Sequence, residues 1–231
     1  MSKRALIIGT SRGLGLGLTQ ELAARGWTVV ATARHLASAM ALQQLAVRQP
    51  SVTLDTADLD APASLTALQT RLAGQVFDLV FINAGIKGPE HQSVNDTTLA
   101  EIGMLMITNA ISPVRLAGML VPQVKAQTGI VAFMTSRMGS VADNTSGGWD
   151  LYRASKAALN SLTRSFAVTA IGNRGITVLS VHPGWVRTDM GGAAAPLDVA
   201  TSVAGIADVL EERAGSHTHA FVDYRGETVP W

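Results

Sequence analysis

The 231-residue chain contains no cysteine. Disulfides, thiol catalysis and thiolate metal sites are thereby excluded. Charge is sparse and balanced, with 18 Lys and Arg against 17 Asp and Glu, and only 15% of residues charged. That balance offers no electrostatic handle for nucleic acid or for an anionic membrane. With 47% hydrophobic residues the chain is too apolar to be read as disordered. No stretch of the sequence approaches the ~20 apolar residues of a membrane span. The opening Met1–Gly9 is basic and then apolar, but the run stops at Gly9, short of a secretion signal. A cytoplasmic protein is expected, and Asn95-Asp96-Thr97 and Asn144-Thr145-Ser146 read as chance glycosylation sequons. The length suits one domain over 1–231.

What is present is an alternation. Short β-rich runs at Ala5–Gly9, Thr28–Ala33, Val52–Thr56, Leu79–Asn83, Gly129–Thr135, Ile176–His182 and Ala220–Val222 are separated by longer amphipathic stretches. Helices are expected over Gly13–Arg25, Ala61–Leu72, Thr97–Val124, Leu151–Gly172 and Pro196–Arg213, the third divided or kinked near Pro113. Several runs are apolar on both faces, which suits a parallel sheet covered on both sides. The pattern predicts an α/β fold: a single Rossmann-type, doubly wound parallel sheet of about seven strands flanked by helices.

Gly9-Thr10-Ser11-Arg12-Gly13-Leu14-Gly15 joins the first strand to the first helix. Backbone amides at such a helix start point toward an incoming anion, and glycine lets a pyrophosphate come close. No Gly-Lys-Ser/Thr closes the loop, so it is not a Walker A motif. Gly9, Ser11, Arg12, Gly13, Leu14 and Gly15 are therefore candidate cofactor-binding residues. The second strand ends Ala33-Arg34, where an acid would hold the ribose 2′-hydroxyl of NAD. Arg12 and Arg34 without a carboxylate suit a 2′-phosphate, so NADP(H) is the expected cofactor.

Tyr152 and Lys156 lie four apart on a predicted helix, on one face and about 6 Å apart along its axis. A free phenol titrates near pH ~10. A neighbouring ammonium is expected to lower that value and make Tyr152 a usable proton donor or acceptor.

With these residues in hand, the chain resembles the short-chain dehydrogenase/reductase family over nearly its whole length. The matching elements are Gly9…Gly13…Gly15, Asp58, Asn83-Ala84-Gly85, Asn109, Ser136, Tyr152…Lys156 and Pro183-Gly184. The segment Ala142–Trp149 and the end Asp223–Trp231 look like the C-factor and sniffer-type carbonyl reductase branch. The resemblance implies hydride transfer between a nicotinamide and a small carbonyl or alcohol substrate. It makes Tyr152 the general acid/base and Ser136 the group that stabilises the substrate oxygen. Lys156 would tune Tyr152 and bind the nicotinamide ribose, and Asn109 would hold a water linking Lys156 to solvent. Asp58 and Leu59 would face the adenine, Asn83, Ala84 and Gly85 the adenosine ribose. Pro183, Gly184, Val186 and Thr188 would meet the nicotinamide. A homo-oligomer, dimer or tetramer, is implied as well. Two departures from the family are visible: Ile8 stands where threonine is usual, and the gap from Ser136 to Tyr152 is longer, leaving a loop over the pocket open.

Other readings stand beside this one. Gly9-Thr10-Ser11-Arg12-Gly13 is formally G-x-S-x-G, and Asp189 and then His217 or His219 follow in the order of an α/β-hydrolase triad with Ser11 as nucleophile. An NADP-binding signalling protein of C-factor type is the second alternative. No metal site is expected, since His217 and His219 lack a third ligand. His182 reads as structural. Met138, Trp149, Trp185 and Met190 are candidates for an apolar pocket wall, and the small-residue face Ala154, Ala157, Ala158 and Ser161 for core or subunit interface.

Overall fold

Strands apolar on both faces need cover on both sides, and the chain supplies it. The structure is a computed structural model describing residues 2–231. Its strands are β1 (Arg4–Ile8), β2 (Thr28–Ala33), β3 (Val52–Thr56), β4 (Leu79–Ile82), β5 (Ile130–Met134), β6 (Thr177–His182) and β7 (His219–Asp223). They form one seven-stranded sheet in the order β3-β2-β1-β4-β5-β6-β7. Every pairing is parallel, with Ala5 opposite Val29 on one side and Leu79 on the other. Adjacent residues of β1 serve opposite faces, as the pleat requires. Ala5 and Ile7 join one apolar cluster, Leu6 and Ile8 the other.

The helices are α1 (Gly13–Ala24), α2 (Met40–Arg48), α3 (Pro62–Arg71), α4 (Leu99–Met106), α5 (Ser112–Leu120), α6 (Asp150–Arg174) and α7 (Val199–Arg213). Leu18 and Leu22 of α1, Leu42 of α2 and Ile206 and Leu210 of α7 cover the first face. Leu65 and Leu68 of α3, Leu116 and Leu120 of α5 and Leu159 and Ala167 of α6 cover the second. This is the doubly wound arrangement that the alternation predicted.

Two expectations need correction. The sequence reading had no helix between β2 and β3, where α2 stands. Its inward face is narrow, Leu42 and Leu45, while Met40 and Val47 are 67% and 84% exposed. Apolar residues on both sides blur the amphipathic signal. The statement that no stretch is long and apolar enough for a membrane also fails. Leu99–Gln123 is helical over 25 residues, and an 18-residue window within it has a mean hydropathy of 1.5 and is half buried. Its buried side packs on α6 and β4.

The expected break in that helix comes before Pro113. The ring nitrogen of Pro113 cannot donate to the Asn109 carbonyl four residues back. The chain widens into a π turn over Ile107–Ile111 before α5 begins, with Asn109 at its centre. Such widened turns are found preferentially at functional sites.

Candidate active site

The chain runs outward from β1 to β3, then returns to place β4 on the other side of β1. A crevice opens where the direction reverses, beyond the carboxyl ends of the strands. The glycine loop leaves β1 here with Gly9 at φ +89°. The amides of Asn83 and Ala84 both donate to the Ile8 carbonyl, and Asn83 Nδ2 donates to the Gly9 carbonyl at 2.7 Å. A Cβ on Gly9 would lie 2.8 Å from Ala84, and one on Gly15 would overlap the Gly9 carbonyl. No side chain caps the start of α1, and no acid stands in its first turn. The first amides of α1 are thus left for an anion.

A cleft of about 500 Å³ runs from this loop across the sheet ends. Ser11, Arg12, Gly13, Leu14, Ala33 and Arg34 line one end, followed by Asp58 and Leu59. Asn83, Ala84, Gly85, Tyr152, Lys156, Pro183 and Thr188 line the remainder. Sequence reasoning missed Asp60, Ile86, Thr108 and Arg187, which also line it. Thr108 Oγ1 donates to both carboxylate oxygens of Asp60 at 2.9 and 3.0 Å, tying the Asp58–Asp60 wall to the π turn. That partnership spans 48 residues and leaves no local signal. Arg12, exposed at the rim, pairs across the cleft with Asp189 at 3.2 Å.

Ser136 follows β5 and accepts a hydrogen bond from the Met138 amide. The short turn after it packs on α6 at Gly139, where a Cβ would come within 2.7 Å of the Lys156 backbone. Thr135 and Gly139 are both hydrogen-bonded to Asn160 on the same helix. Strand end and helix are thereby locked together, with Ser136 held beside Tyr152. Lys156 Nζ lies 5.8 Å from the Tyr152 ring centre and donates to the Met134 carbonyl at 3.0 Å. Asn109, fully buried, accepts from the Ile86 amide and donates to the Ile86 carbonyl and to Ser155 Oγ. Its side chain braces the β4 loop against α6 and is fully engaged there.

The expected lowering of the tyrosine pKa is not what this arrangement produces. Burial pushes Tyr152 up to about 12, opposed by the Ser136 hydroxyl. Burial also pulls Lys156 down to about 8. Desolvation disfavours the charged form of each group, and the Lys156 ammonium is turned to a carbonyl.

The loop after β6 is held by its own chain. Arg187 donates to the carbonyls of Ala195 and Pro196, and Trp185 Nε1 to that of Gly191. Thr188 Oγ1 accepts from the Gly191 amide, and Val186 is buried. Of the four residues expected in an apolar wall, Met190 lines the cleft. Trp149 stands edge-on to Tyr152 at 6.5 Å. The long loop before it is exposed and is tied near its start to the chain end, the Ala142 amide donating to the Trp231 carbonyl.

The hydrolase triad is taken apart by topology. Ser11 follows the carboxyl end of β1, whereas His219 opens β7 and His217 precedes it. In a parallel sheet these are opposite ends, about 15 Å apart for strands of this length. His217 Nε2 meets the Gln127 carbonyl, and His219 lies against Trp231.

The uncapped amides, the close-approach glycines and the elongated cleft fit a dinucleotide phosphate. The family model described as short chain dehydrogenase matches residues 3–197. The C-signal of Myxococcus xanthus is 38% identical over 168 residues, 72% of this chain and 100% of that protein. A short-chain dehydrogenase/reductase structure from Burkholderia multivorans with bound NADP is 40% identical with a TM-score of 0.96, covering 100% of both chains. The carbonyl reductase Sniffer of D. melanogaster is 30% identical with a TM-score of 0.87, again over 100% of both. The chain belongs to the short-chain dehydrogenase/reductase family, in the branch that contains the C-signal and Sniffer proteins.

Proposed function

We propose that this protein is an NADP-dependent reductase that interconverts a small carbonyl compound and its alcohol. The meeting of Tyr152 and Lys156 in the glycine-loop cleft, with the Ser136 hydroxyl beside Tyr152, carries the reading. The dinucleotide, when bound, supplies the hydride. Tyr152 Oη holds the proton that the carbonyl oxygen takes up, and Ser136 Oγ donates a hydrogen bond to the same oxygen as charge develops. Lys156 stabilises the phenolate left behind. Ala33 in place of an acid, with Arg34 and Arg12 at the rim, favours a 2′-phosphate over a free ribose hydroxyl. Arg12 must leave Asp189 to take part, and such an exposed pair is worth at most ~1 kcal/mol. The NADP held by the Burkholderia protein and the activity in Sniffer's name support the same reading.

The test is a titration with NADPH and NADH, followed by fluorescence transfer from protein to nicotinamide, then a carbonyl panel. Tighter NADPH binding, weakened in Arg34→Ala, and reduction abolished in Tyr152→Phe are expected. Binding of neither nucleotide refutes the reading. The likeness to the C-signal over that protein's full length favours a second reading, a signalling role on the same scaffold. Tyr152→Phe separates the two, because a biological effect that survives it does not depend on reduction.

A further inference from the structure

A helix begins with four backbone amides that lack partners inside the helix. The usual remedy is a Ser, Thr, Asp or Asn just before the first turn. Helix α6, which carries Tyr152 and Lys156, has none. The residue before it is Trp149, whose indole offers no acceptor. Trp149 stands at φ +58°, after Gly147 and Gly148 at +65° and +70°.

The acceptor comes from elsewhere. The Tyr152 amide, third in the helix, donates to Gln92 Oε1 at 3.0 Å, across 60 residues of sequence. Gln92 sits in the loop between β4 and α4, only 7% exposed. Its φ of +54° is a conformation that non-glycine residues adopt rarely. Gln92 Nε2 donates to the carbonyls of Lys87 and Pro89 at 3.0 and 2.7 Å. The side chain has one possible orientation, since the Tyr152 amide only donates and the two carbonyls only accept.

The same loop reaches Tyr152 a second time. Asn109 holds Ile86 by both its amide and its carbonyl and donates to Ser155 Oγ, which donates to the Tyr152 carbonyl at 2.8 Å. Residues 86–92 thus hold the Tyr152 amide directly and are linked to its carbonyl through Asn109 and Ser155, at the residue whose ring enters the cleft beside Ile86. A cap needed for helix stability alone could be supplied locally at position 149.

We propose that Gln92 is a positioning residue for Tyr152, fixing its backbone, and through it its hydroxyl, to the opposite wall of the cleft. The catalytic part of this inference rests on Tyr152 being the proton donor. The test uses two variants of the full chain. Gln92→Met keeps the length and loses all three hydrogen bonds. Gln92→Glu, its carboxyl kept protonated by burial against the Lys87 and Pro89 carbonyls, keeps the acceptor for Tyr152 and one of the two donors.

Amide exchange at Tyr152, read without cofactor or substrate, is expected to accelerate about ten- to a hundredfold in Gln92→Met and to stay near wild type in Gln92→Glu. In Gln92→Met kcat is expected to fall about tenfold or more, with NADPH affinity unchanged within about twofold. In Gln92→Glu most of kcat is expected to return. Wild-type protection of Tyr152 in Gln92→Met overturns the proposal. So does a loss of NADPH binding in step with kcat, which marks a merely structural role. If Gln92→Met does not fold, Gln92→Glu decides alone, and fast exchange at Tyr152 in that variant is the overturning result. Absence of any reductase activity in the wild type would sink the functional reading while leaving the exchange result to judge the contact itself.

Discussion

Replacing Lys156 with methionine should make the protein more stable at neutral pH while abolishing reduction. Lys156 is 4% exposed and its pKa falls from 10.5 to about 8. A lysine with a depressed folded pKa carries a cost below that pKa, because the unfolded chain holds its proton more tightly. The cost fades as pH rises from about 8 to 10.5, where both states become neutral. A shift of this size corresponds to about 3 kcal/mol. Methionine removes that cost but leaves the Met134 carbonyl without its donor, a loss of about 1–2 kcal/mol. The net gain at pH 7 is roughly 1–2 kcal/mol, or about 2–8 °C in Tm for a chain of this length. Near pH 10 the sign should reverse, because the remaining cost has fallen below about 1 kcal/mol, less than the lost hydrogen bond. Thermal unfolding of both proteins at pH 7 and at pH 9.5–10 measures this directly. A Lys156→Met protein less stable at pH 7, by an amount that does not change with pH, would refute the reasoning.

Other consequences are equally open to measurement. Gly139→Ala places a methyl group against the Lys156 backbone; a loss of about 1–3 kcal/mol in urea unfolding and a lower kcat are expected. Arg34→Asp should weaken NADPH binding and raise NADH binding, and unchanged selectivity would remove Arg34 from the nucleotide site. His182 is held neutral, its pKa lowered to about 4 by burial and then by Arg137, against the opposing pull of Asp223. A depressed histidine contributes stability that is complete above pH ~6.5 and is lost as pH falls toward 4, here up to about 3 kcal/mol. Denaturant midpoints at pH 7 and pH 5 should therefore converge in His182→Gln, and an undiminished acid sensitivity would exonerate this residue.

The parts legible in the sequence were those whose signal is local. Gly9, Gly13 and Gly15 are needed by one turn, and the four-residue interval from Tyr152 to Lys156 is helix arithmetic. Both survive intact in the structure. Signals failed where a partner is far along the chain or where the environment decides. Gln92 meets Tyr152, and Thr108 meets Asp60, through contacts that no spacing rule describes. The tyrosine pKa moved opposite to expectation because burial outweighs a nearby ammonium engaged with Met134. Chain order alone admitted Ser11, Asp189 and His219 as a triad, and strand direction separated them. Pro113 marked a break in its helix, but the physical event is the π turn before it.

The all-parallel sheet has a consequence for how this chain is made. No two neighbouring strands can close through a hairpin. Paired residues are separated by between 23 positions, Val29 to Val52, and 74, Ala5 to Leu79. Strand β1 precedes every other strand of the sheet in the chain yet finishes in its interior, and its β4 flank stays bare until Ile82 has been added. Loop closure over such distances must come before any ladder forms. The nascent chain therefore holds apolar strand edges open to water while the 74 positions from Ala5 to Leu79 are made, and the glycine loop acquires its backing from Asn83 and Ala84 only when that exposure ends.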